Sequence, residues 1–202
     1  MRVLNLYAGI GGNRKLWTDV EVTAIELNPQ IAKVYQDFFP KDKVIVADAH
    51  QYLLDHFKEF EFIWSSPPCP SHSRARQWNV QRKNIKKIYP DMSLYQEIIF
   101  LKHHYKGKWV IENVIPYYKP LIPAQICGRH LFWANFRIKN IRIEKKFFKD
   151  CFSKLQEIYG FDIRKYHIGQ RKDQILRNCV LPELGLHILN ESKKDIQAEL
   201  FR

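Results

Sequence analysis

Cys69 has the surroundings of a nucleophile. It lies in "SSPPCPSHSRAR", where Pro67, Pro68 and Pro70 bracket the thiol and Arg74 and Arg76 follow closely. Proline fixes φ, so this frame holds the cysteine backbone at a set angle. A packing cysteine needs no such frame, whereas a thiolate that must meet a substrate atom gains from one. Glu112, in "WVIENV", is a candidate for acid-base work at the end of an apolar run. Gly9, Gly11 and Gly12 of "NLYAGIGG" can bring the backbone close to a ligand. Position 14 is Arg, so the segment falls short of the dinucleotide Gly-x-Gly-x-x-Gly pattern. Glu26 can accept from two ribose hydroxyls and Asp48 from an adenine amino group. Together they favour an adenosyl ligand without a pyrophosphate.

The elements that must position these residues alternate between strand and helix. "RVLNLY", "EVTAIEL", "KVIVAD", "FEFIWSS" and "KWVIENV" read as strands. "NRKLWTDV", "NPQIAKVYQDFF", "AHQYLLDHF" and "SLYQEIIFLKHHY" read as helices, with Asn28 as a cap and Pro29 in a first turn. This order predicts an α/β fold with a mostly parallel sheet and helices on both faces. Ligands of such sheets bind at the carboxyl ends of the strands. The glycine turn, Glu26, Asp48, Cys69 and Glu112 each fall at the end of a successive predicted strand. Beyond residue 115, "RHLFWANFRIKNIRI" looks like strands, and "RNCVLPELGLHIL" has helical spacing.

Of the 202 residues, 46% are hydrophobic and 27% charged, which suits a soluble globular domain. No apolar run is long enough to span a bilayer and no signal peptide is evident, so the expected compartment is the cytoplasm. The net charge of +12 points to a polyanionic partner, nucleic acid before membrane. The four cysteines show no CxxC spacing, so no metal site is signalled. Cys127, Cys151 and Cys179 read as packing residues.

Taken in order, "NLYAGIGG", "AIELNP", "ADAHQY", "SSPPCPSHS", "WVIENV", "GRHLFWAN" and "RNCVLPELG" resemble the motifs of the cytosine-C5 DNA methyltransferase family. The resemblance covers most of the chain outside residues 136–170. It implies a Rossmann-like S-adenosylmethionine-dependent methyltransferase fold with a small recognition subdomain. It also implies Cys69 as the nucleophile at C6 of a flipped cytosine and Glu112 as the group that hydrogen-bonds or protonates N3. Tyr7 corresponds to the aromatic residue that packs on adenine, Glu26 to the ribose acid and Asp48 to the adenine-amino acid. Ala8, Gly9, Gly11, Gly12, Leu27, Ala49, Pro68, Asn178 and Val180 complete the expected cofactor set. Arg177 stands where the family has Gly before the late Asn. In the base pocket, alignment puts His130 at the usual arginine position. Arg129 is preferred there because its charge is permanent.

Residues 71–90 hold six Arg or Lys and no acid. By resemblance they form a loop that closes over DNA. Ser71, Ser73, Arg74, Arg76, Arg82, Lys83, Lys86 and Lys87 are then expected at the strand, with Gln77 or Trp78 filling the place of the extruded base. The expected organisation is a catalytic domain over 1–135, a short basic recognition region over 136–170, and a C-terminal segment over 171–202 that returns to the catalytic domain. Lys139, Arg142, Lys145, Lys146, Lys149, Arg164 and Lys165 make the middle region basic; Phe147, Phe148 and Phe152 read as packing residues. The expected partner is double-stranded DNA, engaged by a monomer or homodimer or with a partner subunit for target recognition. A transfer-RNA methyltransferase shares the motif order, and an inactive nucleic-acid-binding regulator is the reading from another class.

Overall fold

The structure is a computed structural model that describes residues 1–83, 86–141 and 151–194. Five strands, β1 (Arg2–Leu6), β2 (Glu21–Ile25), β3 (Lys43–Ile45), β4 (Phe62–Ser65) and β5 (Lys108–Val114), run parallel. The hairpin β6 (Gln125–Cys127) and β7 (His130–Ala134) adds to β5 antiparallel, and the sheet order is β3-β2-β1-β4-β5-β7-β6. The chain reverses direction across the sheet between β1 and β4, which opens a crevice outside their carboxyl ends. The turn after β1 and the Cys69 segment after β4 both lead into that crevice.

Helices cover both faces because the inner strands are apolar on both sides. Val3, Val22, Phe62, Trp64, Val110 and Phe132 pack in one core with α1 (Pro29–Phe38), α5 (Phe152–Tyr159), α6 (Lys172–Asn178) and α7 (Pro182–Lys194). Leu4, Leu6, Ile25, Ile63, Ile111 and Leu131 pack in the other with α2 (Ala49–His56) and α4 (Ser93–His104). The Asn28 side chain caps α1 by accepting from the Gln30 and Ile31 amides. From the middle region, Leu155, Tyr159, Phe161 and Ile163 lie in the first core and Phe152 packs against it. Arg142, Lys145, Lys146, Phe147, Phe148 and Lys149 lie outside the described residues.

The structure departs from the expected elements in five places. Residues 13–20 form turns rather than a helix. Trp17 leaves solvent there to pack on Phe62 and Trp64, and Asp19 takes φ 57°, which helix geometry excludes. Arg14 belongs to the same turn: its guanidinium pairs with buried Asp42 at 2.8 and 3.0 Å and donates to the Trp17 carbonyl. Within residues 71–90, Arg74–Lys83 form helix α3 in place of the expected loop. Of "RHLFWANFRIKNIRI", only His130–Ala134 is a strand among the described residues. The late helical run is split between α6 and α7, because Pro182 starts a new first turn and disfavours helix at the residue before it. Cys151, expected to pack, is exposed at the N-cap of α5.

Candidate active site

The turn after β1 is built from left-handed backbone. Tyr7 has φ 54°, Gly9 55° and Gly11 86°. The turn is tied to β2 by Ala8 N donating to the Ile25 carbonyl at 2.9 Å. Glu26, the next residue, accepts from Gly9 N on one oxygen at 3.0 Å and from Asn28 N on the other at 2.9 Å. Its carboxyl is thereby fixed at the mouth of the turn, with lone pairs left on both oxygens. A Cβ on Gly9 would meet nothing within 4 Å, so the backbone there borders open space. At the adjacent strand end, exposed Asp48 caps α2 through Oδ1, and Ala49 is buried behind it. Leu27, next to Glu26, and Val46, two residues before Asp48, are 67% and 53% exposed, apolar surface suited to a flat ring. In the sequence Val46 falls inside the predicted strand "KVIVAD"; only the end of β3 at Ile45 brings it to the rim.

The C-terminal segment closes on the same turn. A Cβ on Gly12 would lie 2.6 Å from the Cys179 Cβ and 2.6 Å from the Val180 carbonyl, so only glycine admits that contact. Val180 is buried and Asn178 exposed, its Oδ1 accepting from Gln174 Nε2. The turn is braced underneath by buried Asn13 and Asn5, whose side-chain amides pair at 2.8 Å.

Cys69 follows β4 by four residues. The Pro67 carbonyl accepts from Asn113 Nδ2 at 3.0 Å, which ties the proline frame to β5. The Cys69 carbonyl accepts from the His72 and Ser73 amides, so the chain turns directly after the thiol. Pro68 is exposed and Cys69 partly buried. Glu112 is buried on β5, and its Oε1 meets His130 Nδ1 at 2.5 Å. The pairing of Val114 with His130 in the β5-β7 ladder places the imidazole beside that carboxyl. Exposed Arg129, in the turn before β7, lies within electrostatic reach of Tyr159. Asn113 Oδ1 accepts from Val114 N at 2.9 Å.

Burial, and then the charge of Glu112, pushes the Cys69 thiol up to about 11. Both causes favour the neutral thiol, so the free protein holds little thiolate at neutral pH. Alkylation of Cys69 by iodoacetamide should therefore rise about tenfold per pH unit from 7 to 10 without a plateau. Exposed Cys151, whose thiol is lowered first by its contact with the Ser153 hydroxyl, should be modified earlier. Peptide mapping by mass spectrometry reads both; a Cys69 plateau below pH 9 would contradict the site's electrostatics.

The basic segment divides into anchors and exposed groups. Ser71 is buried with Oγ accepting from Asp91 N, and Ser73 Oγ accepts from Arg76 N. Arg74 Nε donates to the Pro116 carbonyl and Arg76 Nη2 to the Lys86 carbonyl. Gln77 is partly buried. Arg82, Lys83, Lys86 and Lys87 are exposed, with Trp78 at 66% and Tyr89 at 74%. Tyr89, under the Lys87 ammonium at 5.4 Å, was not anticipated.

One further group was missed. Glu97 of α4 is fully buried and takes three partners: Tyr7 Oη at 2.6 Å, His50 Nδ1 at 3.1 Å and Ser65 Oγ at 2.7 Å. The hydrogen bond to Glu97 raises the His50 imidazole above its ordinary value against the opposing effect of burial. The signal was available: Leu94, Glu97, Ile98 and Leu101 share the spacing of one buried stripe, where an acid is out of place.

A family model for C-5 cytosine-specific DNA methylases matches residues 1–116. The chain belongs to that family. No match emerges among curated proteins. Among solved structures, a DNMT2 variant from Spodoptera frugiperda is 26% identical, with a TM-score of 0.41 over 56% of this chain and 35% of that one. The Entamoeba histolytica methyltransferase EhMeth is 13% identical, with a TM-score of 0.46 over 72% and 57%. A SAM-dependent methyltransferase from Agrobacterium tumefaciens is 12% identical, with a TM-score of 0.42 over 58% and 40%. This family member thus spans about a third to just over half of those chains.

Its fold is the Rossmann-like methyltransferase fold, with the mostly parallel seven-stranded sheet described above. Membership of the C-5 cytosine methylase family brings S-adenosylmethionine as cofactor, and the residues present fit an adenosyl group. Glu26 is oriented by two backbone amides, Asp48 is exposed past the neighbouring strand, Leu27 and Val46 offer an apolar surface, and Gly9 borders open space.

Proposed function

We propose that the chain is an S-adenosylmethionine-dependent DNA cytosine-C5 methyltransferase acting through a covalent bond between Cys69 and C6 of an extruded cytosine. The observation that carries this reading is Cys69 within electrostatic reach of Glu112, itself held by His130, with Cys69 following β4 and the glycine turn following the adjacent β1. C5 of cytosine is a poor nucleophile until a group adds at C6. The proton of the Cys69 thiol passes to the Glu112 carboxylate, Sγ forms the bond to C6 as a thiolate, and Glu112 passes that proton on to N3, so the electron pair gained by the ring resides at C5. His130, hydrogen-bonded to Oε1, holds the carboxyl in place for that transfer. When bound, S-adenosylmethionine supplies an electrophilic methyl group. After a base takes the C5 proton, the C5–C6 double bond re-forms, the Cys69–C6 bond breaks, and the N3 proton returns to Glu112.

The exposed Arg82, Lys83, Lys86 and Lys87 contact phosphates in this reading, with Trp78 stacking near the extruded base. Lys139, Arg164 and Lys165 contribute the described part of a recognition surface. Each phosphate contact releases counterions, so affinity falls steeply with salt. Radiolabelled S-adenosylmethionine with duplex DNA or transfer RNA tests the reading. The expected result is 5-methylcytosine in DNA, absent from Cys69→Ser. Label in RNA alone would transfer the assignment to an RNA enzyme, and no label on either would favour an inactive nucleic-acid-binding regulator.

A further inference from the structure

We propose that Glu97 is a positioning residue of the cofactor site, holding Tyr7 and His50 at its adenosyl end and linking both through Ser65 to the strand that leads to Cys69. The inference rests on the cofactor reading above. A fully buried carboxylate is costly unless donors satisfy it, and here donors from the β1 turn, α2 and β4 converge on a side chain of α4. Tyr7 is the informative partner. A tyrosine at φ 54° is strained and persists only where its surroundings over-determine it. Its hydroxyl is fixed to Glu97 at 2.6 Å, and its backbone continues into the Ala8 and Gly9 amides that hold β2 and Glu26. Releasing the hydroxyl lets Tyr7 relax toward extended backbone and loosens the orientation of Glu26. His50 follows Asp48 by two residues and bridges from Glu97 to the rim of the site. Ser65 is the last residue of β4, in register with Leu6 of β1 and Ile111 of β5.

Calorimetric titration with S-adenosylhomocysteine tests this without reference to activity. Failure of the wild-type protein to bind would undo the cofactor reading itself. Given wild-type binding, Glu97→Gln should weaken it about tenfold, the scale of one charge-assisted hydrogen bond. Tyr7→Phe removes only a hydroxyl from a partly exposed ring and should raise Kd severalfold while the protein remains folded. The double variant should bind no more weakly than Glu97→Gln, since the contribution of the hydroxyl runs through that carboxyl. Unchanged Kd in folded Glu97→Gln and Tyr7→Phe, with a lower melting temperature, would reduce Glu97 to a packing role and overturn the proposal. Should Glu97→Gln fail to fold, Tyr7→Phe decides alone: a raised Kd supports the proposal and an unchanged one overturns it.

Discussion

A duplex with 5-fluorocytosine at the target position, incubated with the methyl donor, is expected to retain the protein through Cys69 as an adduct that survives denaturing electrophoresis. The thiol adds at C6 as it does on cytosine. Fluorine replaces the C5 proton, so no base can complete the elimination that breaks the Cys69–C6 bond. Cys69→Ser should give no adduct and reduce methyl transfer to background, because a hydroxyl is a much weaker nucleophile in the same frame. The trap also reports on the thiol's high starting point. Burial and Glu112 keep Cys69 neutral in the free protein, so thiolate must form in the substrate complex, and adduct yield should depend on the methyl donor that carries the reaction forward. Absence of an adduct on both DNA and RNA oligonucleotides, with the protein folded and binding S-adenosylhomocysteine, would sink the covalent mechanism.

The residues most legible in the sequence are those whose position follows from topology. Gly9, Glu26, Asp48 and Cys69 lie past the ends of parallel strands and Glu112 in the last residues of another, and β-α alternation already dictates that such ends share one edge. The partner of Glu112 was harder to read. "GRHLFWAN" offers Arg129 and His130 side by side, and only the β5-β7 register brings His130 onto the carboxyl. Trp17 misled for a related reason: a short amphipathic stretch matches a helix, yet the indole is more stable against Phe62 and Trp64 than on a helix face. The role of Glu97 depends on four elements meeting, which periodicity hints at and only tertiary structure specifies.

Glu112→Gln is expected to lower methyl transfer by about 10²–10⁴-fold, the usual contribution of one general acid or base. The amide can still hydrogen-bond, but it cannot deliver a proton to N3 or take it back. The same substitution should make Cys69 alkylate faster in the free protein, because the charge of Glu112 is one of the two causes holding the thiol up. Slower catalysis with a more reactive nucleophile separates a chemical role from damage to the fold, provided the urea midpoint is unchanged. His130→Ala leaves the carboxyl in place without its Nδ1 partner and should cost less, while His130→Arg, which restores a donor, should recover part of the loss. Because His130 acts through the carboxyl of Glu112, the double variant should be no worse than Glu112→Gln alone. Additive losses in that cycle would mean that His130 works independently of Glu112, and the dyad would have to be abandoned.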